Sequence, residues 1–144
     1  MNALDVALQD AVAQIPDCVA AGYVDLDSGM LLSIKTAQTY PRELLELLAT
    51  ATTDLFQGQN VRMIEQMFRS SRGIAEDGRH YFQEVMVNSD RFLHVFLRSE
   101  HQNHVVTFIC QKKADLNVVL VKAREALTSL EDNALACMRS DITL

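Results

Sequence analysis

The chain has 144 residues, of which 49% are apolar and 22% are charged, with a formal net charge of −6. This composition is typical of one globular domain, and a chain of this length can bury a substantial core. The acidic balance argues against a nucleic-acid-binding surface. The chain has no run of about 18 apolar residues, so we expect no membrane-spanning segment. We therefore expect a single domain over residues 1–144.

The cysteines and the N-terminal segment indicate the cellular compartment. Residues 1–17 contain acidic side chains and no basic region, so we do not expect a signal peptide. Cys18, Cys110 and Cys137 are far apart and odd in number, which predicts reduced thiols in the cytoplasm. No CxxC or His/Cys cluster has zinc spacing, and we expect neither a metal nor a cofactor.

A helix and two strands are predicted at the start of the chain. Residues 3–15 have the apolar spacing of an amphipathic helix. Cys18–Asp25 is apolar at odd and even positions, which is typical of a strand buried on both faces, and Met30–Ile34 is predicted as its neighbour.

The sequence DLDSG, between these strands, has three interpretations: a calcium loop, a catalytic carboxylate pair or a turn. An EF-hand loop needs glycine at its sixth position and glutamate at its twelfth, whereas Gly29 is fifth and Thr36 twelfth counting from Asp25. A surface hairpin gives Asp25 and Asp27 no reason for the raised pKa that acid catalysis needs. We interpret the segment as a hairpin turn, in which Asp and Ser bond their own backbone and Gly supplies positive φ.

The middle helix, over residues 41–57, has an unusually wide apolar face. Pro41 is expected in its first turn, with Thr39 or Tyr40 as the cap. One stripe of about 100° would cover a sheet, and Leu44, Leu48, Ala51 and Leu55 form such a stripe. Leu45 and Leu47 then remain at its sides. Burial deep in the monomer's own core is one explanation; we favour a helix that also meets a second subunit.

Helical spacing resumes over residues 60–71, through Val61, Ile64, Met67 and Phe68, whose Met and Phe side chains we expect in the core. Residues 73–80 resemble a phosphate loop. They lack the Lys-Ser/Thr pair and precede a strand, so we interpret them as a polar loop.

Three further strands are predicted, at His80–Asn88, Arg91–Arg98 and Asn103–Gln111, joined as hairpins. If Leu97 faces His104, both faces of this sheet are largely apolar, and we expect helices on both sides. On these faces His94 is predicted to be a core histidine with a hydrogen-bond partner, and Cys110 a buried thiol.

A last helix follows Asp115, which is predicted to cap it. Its apolar face continues to Leu130, and residues 131–144 either extend the helix or fray. The predicted order is α-β-β-α-β-β-β-α, an α+β fold with a five-stranded antiparallel sheet between helices.

This order resembles the roadblock/LC7 family. Gly22, Asp25, Asp27 and Gly29 in AAGYVDLDSGMLL are similar to the family's glycine-strand-aspartate-turn-glycine hairpin, and Asp115–Leu127 resembles its final helix. The similarity covers most of residues 3–130. The segment 59–79 is longer than a typical member needs, so the partner surface there, and whether a second helix alters it, stays open.

The resemblance implies a fold with the first and last helices on one face of the sheet and the middle helix on the other. It implies a homodimer formed through the middle helix and the neighbouring edge strand, and a non-enzymatic role as a scaffold or as a regulator of a small Ras-like GTPase. The predicted interface comprises Leu44, Leu45, Leu47, Leu48, Ala51, Leu55, Val85 and Val87.

Two other functions compete with this one. A small-molecule sensor of the PAS kind also uses a five-stranded antiparallel sheet and would need an internal cavity, for which the candidate lining residues are Met63, Met67, Phe68, Met86 and His94. An enzyme or metal site would use His101 and His104, which flank a turn, but needs further ligands that the sequence does not supply.

Overall fold

The computed structural model describes residues 1–73, 80 and 82–142. Most of the predicted polar loop at residues 73–80 lies outside the described residues. The elements in chain order are α1 (Ala3–Gln14), β1 (Cys18–Asp25), β2 (Met30–Thr36), α2 (Arg42–Gln57), α3 (Gln59–Ser71), β3 (Glu84–Asn88), β4 (Phe92–Arg98), β5 (His104–Gln111) and α4 (Leu116–Ile142).

The strands form one five-stranded sheet in the order β2-β1-β5-β4-β3, with every pair antiparallel. One face packs against α1 and α4 in a large core that includes Leu8, Tyr23, Phe108 and Leu130. The other face packs against α2 in a smaller core around Phe56. The predicted α+β class, with helices on both faces of the sheet, is confirmed.

The DLDSG segment is a turn, as predicted. Gly29 N donates to Asp25 O at 2.8 Å, and one carboxylate oxygen of Asp25 accepts a hydrogen bond from Asp27 N at 3.0 Å. Gly29 has φ +72°, a conformation that side chains rarely adopt. The carboxylate of Asp25 therefore holds its own turn together.

The β4–β5 pairing differs by two residues from the predicted register. Leu97 pairs with Val106 instead of His104, because Ser99 and His104 close the turn through a 2.9 Å bond from Ser99 N to His104 O. A shift of two positions leaves each side chain on its predicted face, since side chains alternate with a period of two. The prediction that both faces of the sheet are largely apolar is therefore unaffected by the difference in register.

The third strand begins at Glu84, so the predicted start at His80 was wrong. Phe82 O accepts a hydrogen bond from the guanidinium of Arg98 at 3.1 Å, while Gln83 O accepts from Arg98 N at 2.9 Å. The Phe82 carbonyl thus accepts a hydrogen bond from a side chain. Regular pairing of β3 with β4 starts only after Gln83.

The last helix continues past residue 130 as far as Ile142. Asp115 Oδ1 accepts from Asn117 N at 2.9 Å, so the predicted cap is present. Leu130, Glu131 and Ala134 are all buried. These contacts hold the middle of α4 on the sheet, and residues 131–142 extend the helix; residues 143 and 144 lie outside the described residues.

Candidate interaction surface

A buried arginine anchors the C-terminal end of α2. Arg98 is 6% exposed, and its guanidinium carbon lies 5.2 Å from the centre of the Phe56 ring. The guanidinium also donates to Asn103 Oδ1 at 2.8 Å and to Phe56 O at 3.4 Å. Because Phe56 is fully buried, these contacts fix the rotation of α2 about its own axis.

This rotation is not the predicted one. Ala49, Thr52 and Phe56 are the α2 residues buried against the sheet. The helix offers apolar side chains on several faces, and the large ring of Phe56 selects the face that turns inward. Three members of the stripe predicted to cover the sheet are instead exposed to solvent: Leu44, Leu48 and Ala51.

The opposite face of α2 is therefore an apolar surface open to solvent. Leu44, Leu47, Leu48 and Ala51 follow the i, i+3, i+4, i+7 spacing that makes neighbours on a helix. Leu47 is 65% exposed. Leu45 is half-buried. We call the four exposed residues the α2 face. The structure describes no residue that covers it.

The helix starts without a side-chain cap. Pro41 is the N-cap, and neither Thr39 nor Tyr40 has the predicted capping role. Pro41 O accepts from Leu44 N at 3.1 Å and from Leu45 N at 3.3 Å. The fixed φ of proline prepares this start, and no hydroxyl is needed at this position.

The remaining predicted interface residues divide between core and surface. Leu55 and Val85 are half-buried and pack against the smaller core. Val87 is exposed on β3, which is the last strand of the sheet. An edge strand carries backbone N–H and C=O groups with no strand beside them, which is a site for pairing with another chain.

Helix α3 has its apolar side chains outward and a charged side chain inward. Met63, Ile64, Met67 and Phe68 are exposed, Met67 by 69%, so the expectation that Met67 and Phe68 lie in the core was wrong. Glu65 is buried on the same helix, and its charge attracts Arg98, partly offsetting the lowering of the Arg98 pKa by burial. We call the four exposed residues the α3 face.

A glycine joins α2 to α3. A Cβ atom at Gly58 would lie 2.6 Å from Asp54 O, closer than real side chains approach a backbone oxygen. Gly58 N donates to Asp54 O at 2.9 Å, which closes the last turn of α2. The close approach of these backbones sets the direction in which α3 leaves α2, and with it the orientation of the α3 face.

A groove of about 490 Å³ lies between the first half of α2 and the open part of the sheet. Thr107 Oγ1 is buried there with no hydrogen-bond partner in the described chain. His94 also lines the groove, with Nε2 3.0 Å from Ser89 Oγ, and burial lowers the pKa of its imidazole. The apolar lining residues include Ile34, Tyr40, Leu44, Leu48, Phe92 and Ile109.

The lining predicted for a sensor cavity does not come together. Of the five candidates only His94 lines the groove, because Met63, Met67 and Phe68 lie on the α3 face and Met86 is exposed on β3. The groove is bordered by α2 and opens at the surface. The structure therefore shows no enclosed chamber at the predicted place within the residues it describes.

His101 and His104, the residues of the enzyme alternative, have separate roles. His104 is buried, with Nδ1 2.9 Å from the Tyr23 hydroxyl, and burial lowers its pKa although nearby carboxylates oppose the shift. The His101 side chain is 72% exposed beside Glu100. No group of three or more His, Cys, Asp or Glu residues within the described ranges could hold a metal ion.

A buried glutamate holds the β4–β5 turn, which lies next to these histidines. Glu131 Oε2 accepts hydrogen bonds from His101 N at 2.9 Å and from Gln102 N at 2.7 Å. Glu131 thus joins the β4–β5 turn to the middle of α4. Sequence reasoning missed this contact and that of Arg98, because a charged residue gives no sign in the sequence that it is buried.

Solved structures share this fold. One described as MglB with a tetrameric arrangement is 18% identical, with a TM-score of 0.69 over 92% of this chain and 88% of that one. MglB from Thermus thermophilus, called a gliding protein, is 18% identical, with a TM-score of 0.67 over 92% and 89%. A roadblock/LC7 domain from Streptomyces avermitilis is 16% identical, with a TM-score of 0.63 over 89% and 94%.

Sequence comparisons add nothing to this likeness, since neither a protein-family model nor a curated protein matches the chain. Identities this low show a shared fold alone. The chain thus has the roadblock/LC7 fold that the hairpin and final helix implied. No helix within the described residues is long and apolar enough to cross a membrane.

Proposed function

We propose that this protein is a non-enzymatic, cytoplasmic homodimer that acts as a regulatory or scaffold protein, with a small Ras-like GTPase as its partner. The observation that carries the proposal is the α2 face. An exposed group of large apolar side chains on one helix marks an interaction site, because a monomer gains nothing from leaving them in water.

The α2 face and the β3 edge together form the proposed dimer interface. Homodimers with a two-fold axis bring the same patch of both subunits together, so a helix and an edge strand can each meet their own copy. Val87 on the edge strand and Leu47 on the helix are both exposed. The tetrameric arrangement of MglB supports self-association of a protein with this fold.

The GTPase part of the proposal rests on the resemblance to roadblock/LC7 domains and on the α3 face. Met63, Ile64, Met67 and Phe68 offer a second apolar surface on a helix that the α2–β3 interface does not use. We assign this surface to the partner. The PAS-type sensor receives no support from the similar structures, and the groove is bordered by the α2 face that the dimer would cover.

Charged substitutions test the dimer. Leu47→Glu places a carboxylate in the proposed interface, and Val121→Glu on α4, where Val121 is 50% exposed, is the matched control. We expect Leu47→Glu to sediment as a folded monomer, and Val121→Glu to remain dimeric. Equal behaviour of the two variants would disprove the assignment of the interface.

Nucleotide turnover tests the partner. GTP hydrolysis and nucleotide release by small Ras-like GTPases of the source organism would be measured with wild type, Met67→Glu and Val121→Glu. We expect wild type and Val121→Glu to bind one GTPase or alter its rate, and Met67→Glu to lose the effect. Absence of binding and of any rate change with every GTPase would remove this part of the proposal and leave the dimer standing.

A further inference from the structure

Two cysteines lie opposite each other on neighbouring strands. Cys18 opens β1 and pairs with Cys110 near the end of β5. The next residues hold the strand ends together, since Gln111 N donates to Asp17 O at 3.0 Å. Directly opposed residues of an antiparallel pair have Cα atoms about 4.5–5.5 Å apart, which lies within the range of disulfides.

The two thiols differ in exposure and in the direction of their pKa shifts. Cys110 is buried and Cys18 is half-buried, and both are free thiols. A hydrogen bond from the Cys110 thiol lowers the pKa of Cys18, despite burial, with help from backbone groups of Ala20 and Ile109. The same interaction and burial raise the pKa of Cys110. Its lower pKa and its greater exposure both make Cys18 the thiol that an oxidant in solvent attacks first.

We propose that Cys18 and Cys110 form a reversible oxidation site that reacts with a hydroperoxide. The Cys18 thiolate attacks the peroxide oxygen, so that its sulfur becomes a sulfenic acid and hydroxide leaves when hydrogen peroxide is the oxidant. The Cys110 sulfur then attacks the Cys18 sulfur, its proton joins the departing hydroxyl as water, and the disulfide forms. A dithiol reductant returns both cysteines to thiols and is itself oxidised to a disulfide.

The geometry favours the disulfide over further oxidation. The two cysteines are already opposite each other on neighbouring strands, so the second step needs no unfolding. The cross-link joins the start of β1 to the end of β5, in the core between the sheet and α1 and α4. That core lies on the other side of the sheet from α2, so this inference is independent of the proposed dimer.

The experiment is peroxide titration of the pre-reduced protein, followed by alkylation under denaturing conditions and mass spectrometry. We expect wild type to lose about 2 Da and two alkylatable thiols, with Cys18 and Cys110 joined in one cross-linked peptide. Because the cross-link closes a long loop, the Tm should rise by about 10 °C and return after dithiothreitol treatment.

Single variants assign the roles. Cys137→Ser is the control, since Cys137 is also half-buried beside the same core, and it should behave as wild type. Cys18→Ser should show no peroxide-dependent loss of thiols, and Cys110→Ser should stop at a sulfenic acid that dimedone traps. The peptide map of wild type does not depend on how stable these variants are. A disulfide that includes Cys137, one that joins two chains, or Cys18 and Cys110 still alkylatable after peroxide would overturn the inference.

Discussion

Removal of the Arg98 side chain tests why α3 keeps its apolar face outward. Arg98 touches Phe56 on α2 and is attracted by the charge of Glu65 on α3, so we expect it to help orient both helices. Glu65 Oε1 is buried and has no hydrogen-bond partner in the described part of the chain. In Arg98→Met the buried Glu65 carboxylate would lose the attraction of the Arg98 charge.

The expected cost follows from the hydrogen bonds of Arg98. Without the guanidinium, Phe82 O, Asn103 Oδ1 and Phe56 O lose their donor, and leaving a buried polar group unsatisfied costs about 1–3 kcal/mol. Glu65→Leu should cost less, since Arg98 keeps its hydrogen bonds to Phe82 O, Asn103 Oδ1 and Phe56 O. The double variant should recover part of the loss, with a coupling energy of about 1–3 kcal/mol.

Urea unfolding of wild type, both single variants and the double variant gives this coupling energy, at one protein concentration so that any dimer contributes equally. The exposed Arg124–Glu84 pair, with contacts of 2.8 and 2.6 Å, is the control cycle, and its coupling should be much smaller because solvent screens it. If the Arg98 and Glu65 effects add to within about 0.5 kcal/mol, our explanation for the orientation of α3 is refuted.

Three further predictions concern stability. Gly58→Ala should cost roughly 1–3 kcal/mol in urea unfolding, because its Cβ would press against Asp54 O, and an unchanged midpoint would contradict the close approach. Glu131→Ala should cost about 1–3 kcal/mol by the same measurement, since two backbone N–H groups of the β4–β5 turn lose their acceptor; a neutral effect would mean that water replaces it. His104 has a folded pKa below its usual 6.5, so its stabilising effect is fully present above about pH 6.5 and is lost as pH falls through the folded pKa. Tm measured from pH 7 to pH 5 should therefore fall less steeply in His104→Gln than in wild type, and parallel curves would rule out this linkage.

Local sequence signals predicted the elements and the first turn. The bounds of β1 agree with the prediction, because Cys18–Asp25 is a short apolar run between a Pro-Asp stop and a turn rich in Asp, Ser and Gly. Gly29 has the positive φ that its place in the turn requires. Signals of this kind depend on neighbours in sequence, so they need no knowledge of the rest of the fold.

Predictions that depended on distant contacts were less accurate. The rotation of α2 is decided by Phe56 against Arg98, two residues that are far apart in sequence. A helix with apolar side chains on several faces does not reveal which face turns inward. The outward orientation of Met67 was missed for the same reason. Periodicity shows which residues share a face of a helix, but not whether that face points to the core or to solvent.

The residues predicted for the interface divide between the surface and the core, and the interface itself stays a prediction. Leu44, Leu47 and Leu48 are exposed, whereas Leu55 and Val85 pack partly against the chain's own core. Excess apolar area on one helix is visible in sequence, but its division between core and surface depends on the angle at which the helix lies on the sheet.

The molar mass of the wild-type protein in solution tests the central claim most directly. One chain has a mass of 16.1 kDa. Light scattering at micromolar concentration should give about 32 kDa, the value for two copies joined through their α2 faces and β3 edges. A mass of 16.1 kDa at micromolar concentrations would show that the α2 face stays exposed to solvent in a monomer, and would contradict the account.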